Sequence, residues 1–181
     1  MKKIIGFIGK QASGKTTAAN SLSEDVPVVV MGDCVRKETR NRGYPLTEKN
    51  IGKVANELRE KNGMDAIAQL AIPEIKEKDS EVVAIDGIRG KAEIDAYREE
   101  FGEKFVSIAI LATKKTRFDR TKQRERSDDA TTWDSFIEKD KREENWGLDE
   151  AIREADHQIK NETNLSDFKK KVNDLVSEID G

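Results

Sequence analysis

The stretch that most constrains this 181-residue chain is Gly9-Lys10-Gln11-Ala12-Ser13-Gly14-Lys15-Thr16. It satisfies G-x-x-x-x-G-K-[ST], a pattern whose glycines let the backbone curl until successive N–H groups converge on one anion. The apolar run Ile4–Ile8 precedes it and a helical pattern begins at Lys15, so the turn joins a buried strand to a helix. Such a junction grips phosphate. The amides from Gly9 through Gln11, Ala12, Ser13, Gly14, Lys15, Thr16 and Thr17 face the phosphates, together with the positive end of the helix dipole. Lys15 is placed to reach the β- and γ-phosphates of a nucleotide, and Thr16 to hold Mg²⁺ through its hydroxyl. A chance match in a chain of this length has a probability on the order of 1% at average residue usage. The motif alone does not separate a kinase from an ATPase or GTPase.

A strand-loop-helix start of this kind belongs to a parallel α/β sheet, and the remaining sequence repeats the alternation. Apolar runs at Val26–Met31, Val82–Ile85, Phe105–Leu111 and, more weakly, His157–Ile159 follow the first. Most are continuous rather than alternating, as strands covered on both faces are. Helical patterns lie between and after them, at Lys15–Ser23, Asp33–Arg42, Thr47–Lys61, Met64–Lys78, Lys91–Phe101, Thr113–Arg124, Thr132–Asn145 and Ser166–Ile179. The expected architecture is a three-layer P-loop NTPase fold, a five-stranded parallel sheet flanked by helices, as one domain over residues 1–181. Two extra helical patterns separate the second run from the third. Residues 33–78 are therefore expected to form a helical acceptor-binding insertion, with Pro73 kinking or splitting one helix. The last pattern is amphipathic, with Phe168, Val172, Leu175, Val176 and Ile179 on one face.

Three clusters bear on what happens to the phosphate. Gly32-Asp33-Cys34-Val35-Arg36 lies at the exit of the second run, where parallel sheets hold ligands. Arg36 can fork onto a phosphate there, although a plain helix cap explains Asp33 equally well. In "VVAIDGIRG", residues 82–90, Asp86 closes an apolar strand and can bind Mg²⁺ directly or through water, while Arg89 aims a second cation at the same edge. An Asp-Gly turn is the ordinary alternative. In "TRFDRTKQRERSDD", Arg117, Arg120 and Arg124 share a helix face, and from Lys114 to Arg126 seven basic residues outweigh two acidic ones. Charge runs on helices are usually solvated. Phosphoryl transfer, however, needs cations around the moving group, and Arg126-Ser127-Asp128-Asp129 follow directly.

Composition narrows the partners. Charged residues make up 38% of the chain, yet the formal net charge is only −3, so no basic field draws nucleic acid or membrane. Cys34 is the only cysteine and His157 the only histidine, which removes internal disulfides, cysteine zinc clusters and paired-histidine metal sites. No apolar run approaches the roughly 18 residues of a membrane span. The start "MKKIIGFIGK" is basic like a signal peptide, but its apolar run is short and ends in glycine. A cytoplasmic monomer is the expectation.

Taken together, the motifs resemble the adenylate-kinase-like nucleoside monophosphate kinases over nearly the whole chain, in particular archaeal adenylate-kinase-related proteins. Gly32, Asp33 and Arg36 match the family's G-D-x-x-R, whose arginine binds the acceptor's phosphate. Asp86 and Gly87 match its D-G-x-P-R, but Arg89 comes one residue early and the proline is missing. The lid motifs R-x-x-x-R and R-x-D-D are matched by Arg120, Arg124, Arg126, Asp128 and Asp129, which implies a short lid within residues 117–146. Ile137 stands where the family has a later arginine, and Arg142 lies further on. Residues 155–168 are similar to the last strand and base-side loop of these kinases and of dephospho-coenzyme A kinases, which places Asn161 near the nucleotide base.

The resemblance implies ATP and Mg²⁺, with Thr16 and Asp86 at the metal and Arg120 and Asn161 beside the nucleotide. It implies phosphoryl transfer to a small phosphorylated acceptor, a nucleoside monophosphate first, assisted by Lys15, Arg36, Arg89, Arg120, Arg124 and Arg126. A dephospho-coenzyme A kinase-like enzyme is one alternative. An ATPase or switch acting on RNA or protein is another, although no glutamate follows Asp86 to polarise a water. Cys34, His157, Trp133 and Trp146 read as packing residues, and Arg59 as a solvated helix position.

Overall fold

A computed structural model describes residues 2–124 and 132–181, with the backbone alone for Glu48 and Arg124. Its strands are β1 (Lys3–Ile8), β2 (Val28–Val30), β3 (Val82–Ile88), β4 (Phe105–Leu111) and β5 (His157–Lys160). They form one sheet in the order β2-β3-β1-β4-β5, parallel throughout. The helices are α1 (Lys15–Ala19), α2 (Met31–Asn41), α3 (Glu48–Asn62), α4 (Ala66–Glu77), α5 (Lys91–Phe101), α6 (Lys114–Arg124), α7 (Trp133–Glu144), α8 (Leu148–Arg153) and α9 (Leu165–Asp180).

Side chains alternate across a strand, so neighbours on one run feed two different cores. Ile4 and Ile8 of β1, with Val83 and Ile85 of β3, bury into a layer built from α2, α3, α4, α5 and α8. Ile5 and Phe7, with Ala84, Ile108 and Ile110, bury on the other face against Ala18 and Ala19 of α1 and Phe168, Val172 and Val176 of α9. This is the three-layer α/β arrangement anticipated from the continuous apolar runs. The carboxyl ends of β1, β2 and β3 lie side by side, because Phe7 and Val30 both pair with Asp86.

Several elements depart from expectation for local physical reasons. Asp86 does not end its strand. The chain bulges at Gly87, whose φ of 106° is open to glycine, and β3 continues to Ile88. α2 begins at Met31, so Asp33 lies inside its first turn and does not cap it. α1 stops at Ala19, and tight turns at Ser21 and Leu22 replace the rest of its expected length. Pro73 neither ends nor divides α4. Its ring and the Gln69 carbonyl that it deprives of a donor both lie on an exposed face, while Ala71, Ile72 and Ile75 hold the helix in the core. α8 was not anticipated at all. It is six residues long and its Leu148 and Ala151 dock into the larger core. Among the described residues, no helix is long and apolar enough to cross a membrane.

Candidate active site

The phosphate loop leaves β1 and returns on itself through Ala12 (φ 57°) and Gly14 (φ 110°), two left-handed residues that turn the intervening amides inward. The Lys15 ammonium, nearly buried, donates to the carbonyls of Gly9 at 2.6 Å and Lys10 at 2.9 Å, which pins it along the loop. The Thr16 hydroxyl donates to Asp86 Oδ2 at 2.8 Å. A hydroxyl and a carboxylate so close to a phosphate loop are the hard oxygens that Mg²⁺ takes alongside waters and substrate phosphates. Among the described residues, no cluster of three or more His, Cys, Asp or Glu side chains is suited to hold a metal unaided.

Two cavities meet at this loop. One, of about 530 Å³, is lined by Lys15, Thr16, Thr17, Arg120, Asn161 and Leu165. Arg120 Nη2 donates to the Asn161 carbonyl at 2.8 Å and its Nη1 to the Ser13 carbonyl at 3.3 Å, while Asn161 Nδ2 donates to Ser13 at 2.8 Å. Burial pushes the Arg120 guanidinium below its ordinary range, and nearby Glu162 opposes the shift. A Cβ on Gly14 would overlap Asn161 Nδ2. Gly14→Ala therefore meets both the left-handed penalty, about 1–2 kcal/mol, and loss of the Asn161 brace. A lower melting temperature with weakened nucleotide binding is the expected outcome, measured by thermal melts with and without ATP.

The second cavity, of about 360 Å³, shares Ala12, Lys15 and Thr16 with the first and opens toward α2, α3, α5 and α7. Arg36, Arg59 and Arg89 line it. Arg36 leans on Asp33 at 2.6 Å and is half-exposed. Arg59 is not solvated. Its side chain is only 8% exposed, lies 3.7 Å from Glu93 and 4.7 Å from the centre of the Trp146 ring. Burial lowers its affinity for the proton, and Glu93 partly restores it. Glu93 is itself pushed upward by burial, against a 2.6 Å bond from the Arg89 amide, and its Oε1 has no hydrogen-bond partner. Trp146 thus lines the cleft as well as packing. Trp133 stacks on Phe136 and is nearly half exposed.

The acidic face of α7 escaped sequence reasoning. Asp140 takes Arg117 in a two-point pair at 2.8 and 2.6 Å, so Arg117 is a buried strut rather than a member of an exposed arginine stripe. Glu143 accepts from Arg89 and, at 3.3 Å, from the Gln11 amide. Glu144 pairs with Lys10 at 2.6 Å. The Gln11 side chain accordingly points to α7, donating to Phe136 and Asp140, and does not line the first cavity. The spacing of 140, 143 and 144 on one helix face was the available signal. Arg142 is exposed and borders a groove against α3, outside the cleft, whereas Lys139 lines the cleft. The Arg124 side chain, Arg126, Asp128 and Asp129 lie outside the described residues. Cys34 is a buried filler whose thiol burial and Glu74 push up to about 11.

The chain resembles known proteins in sequence and in fold. A family model described as an AAA domain matches residues 8–138. A UPF0200/UPF0201 protein of Archaeoglobus fulgidus is 49% identical over 96% of the chain, which spans only 55% of that longer protein. A UPF0200 protein of Methanosarcina acetivorans is 44% identical, covering 98% of this chain and 95% of its own. Among solved structures, shikimate kinase from Acinetobacter baumannii, in complex with shikimate, superposes with a TM-score of 0.62 at 17% identity, over 98% of this chain and 94% of that one. The chain therefore shares its fold with that kinase. By sequence, the chain belongs to the UPF0200 protein family and is built on an AAA domain.

Proposed function

We propose that the chain transfers the terminal phosphoryl group of ATP to a small phosphorylated acceptor, a nucleoside monophosphate before others. The observation that carries this reading is the meeting of two cavities at Lys15 and Thr16, one flanked by Arg120 and Asn161, the other by three arginines. A simple hydrolase has no use for the second. The donor's phosphates lie along the loop amides and Lys15, and the acceptor's phosphate on Arg36 and Arg89. Mg²⁺, when bound beside Thr16 and Asp86, neutralises part of the phosphate charge. An acceptor oxygen bonds to the γ-phosphorus as its bond to the β-bridging oxygen breaks, and ADP departs. Alignment and charge neutralisation supply the catalysis, so no general base is required. Arg124 and Arg126 are proposed, with Arg120, to add positive charge around the moving group.

The test is incubation with labelled ATP·Mg²⁺ and a panel of nucleoside monophosphates, dephospho-coenzyme A and shikimate. The last is included because a shikimate kinase shares the fold. Label in a nucleoside diphosphate supports the reading, and label in either other acceptor moves the enzyme to a different substrate class. RNA- or protein-stimulated hydrolysis with no labelled acceptor would overturn it. Arg36→Ala removes a charge-assisted phosphate contact, valued at about 1.5–3 kcal/mol. The expected result is an acceptor KM raised roughly 10–100-fold with the KM for ATP nearly unchanged.

A further inference from the structure

Arg89 is held from behind by a residue that also holds the phosphate loop. Glu143 Oε1 accepts from Arg89 Nη1, and Oε2 accepts from the Gln11 amide at 3.3 Å. Its side chain is 3% exposed where that of Arg89 is 33% exposed. The carboxylate thus sits on the protected side of the pair, and the exposed part of the guanidinium is left to the cleft that both residues line. An acceptor phosphate that displaced Glu143 would strand a buried, uncompensated charge, which is far more costly than sharing the arginine. Glu143 is built as an anchor, not as a competitor. An arginine already held through one nitrogen also loses less rotamer freedom when a phosphate arrives.

We propose that Glu143 is a positioning residue for the acceptor. By tying Arg89 to the Gln11 amide, it aims the guanidinium into the cleft and keeps that aim in register with the loop that holds the donor. The proposal rests on the phosphoryl-transfer reading above. The rest of α7 docks without it, since Asp140 binds Arg117 and Gln11, and Glu144 binds Lys10.

The experiment is a double-mutant cycle on the full chain with Glu143→Gln, Arg89→Ala and both changes together. Transfer from ATP·Mg²⁺ is measured to the nucleoside monophosphate that the wild-type chain phosphorylates fastest. Glu143→Gln is expected to raise the acceptor KM at least 10-fold while the KM for ATP changes less than 3-fold. In the Arg89→Ala background it is expected to add less than 2-fold. Should the Gln variant not fold, Glu143→Asp retains the charge but shortens the reach, and is expected to show the same split. Glu144→Gln loosens the α7 dock without touching Arg89 and controls for a general effect on the helix. Its acceptor KM is expected to stay within 2-fold. Equal shifts in both KM values, or effects of Glu143→Gln and Arg89→Ala that multiply, overturn the proposal alone. Failure of the wild-type chain to phosphorylate any monophosphate removes the premise and the proposal together.

Discussion

Lys15→Ala is expected to reduce phosphoryl transfer by about 10²–10³-fold or more, the loss seen when one preorganised electrostatic contact to a transition state is removed. The ammonium is already bonded to the Gly9 and Lys10 carbonyls and nearly buried, so it needs no reorganisation to meet a phosphate. It sits where the two cavities join, which is where the transferring group must pass. Negative charge builds on the departing β-phosphate oxygens as the bond breaks, within reach of the loop lysine, so the deficit is expected mainly in kcat, with a smaller rise in the KM for ATP. Lys15 belongs to neither apolar core, and the variant is expected to melt as a folded protein. Steady-state kinetics with circular dichroism make the comparison. Retention of more than a tenth of the wild-type kcat would show that the loop lysine does not face the reacting phosphate.

That lysine could be found from sequence because everything needed to place it is local. Eight consecutive residues dictate the loop, and an apolar run with a helical pattern supplies its supports. The sheet was legible for a related reason. Strands buried on both faces write themselves as unbroken apolar runs, and Phe105–Leu111 appears in the structure with the boundaries its run predicts. Arg59 shows where such reasoning stops. On α3 it is one charged residue in "NELREKNG", and nothing nearby distinguishes it from Lys61. Its burial depends on Glu93 from α5 and Trp146 after α7 arriving at the same place. Glu143 has the same difficulty, as one of several acids on a very polar helix whose meaning comes from Arg89 and Gln11, 54 and 132 residues away. The arginine stripe was half legible. Helical spacing put Arg117 and Arg120 on one face, but it could not say that Arg117 turns inward to Asp140 while Arg120 reaches the loop. Periodicity defines a face. Only packing decides what that face meets.

Asp140→Ala is expected to cost about 3–5 kcal/mol of stability, the penalty for leaving a buried charge without its partner. Arg117 and Asp140 are each 2% exposed, so water cannot replace the lost carboxylate. The Arg117 guanidinium would keep only its carbonyl contacts to Gln11 and Ala112 and its place over Phe136. The Gln11 side chain would lose an acceptor as well. Because Gln11 belongs to the phosphate loop, nucleotide binding is expected to weaken along with the fold. The same pair has a pH signature. Burial alone would push the Asp140 carboxyl up, but hydrogen bonds from Arg117 and Gln11 and the charge of Arg117 outweigh it and hold the carboxyl below its ordinary range. A depressed folded-state value stabilises at pH above the unfolded carboxylate's, about 3.9, and that contribution fades as pH falls through the folded value. Urea melts at pH 7 and at successively lower pH separate the two effects. The wild type is expected to lose more stability than Asp140→Ala as the solution is acidified below about pH 4. Arg117→Met in the Asp140→Ala background removes the stranded charge and is expected to recover part of the loss at pH 7. A single Asp140→Ala variant as stable as the wild type at pH 7 would mean that the ion pair does not anchor α7 to the phosphate loop.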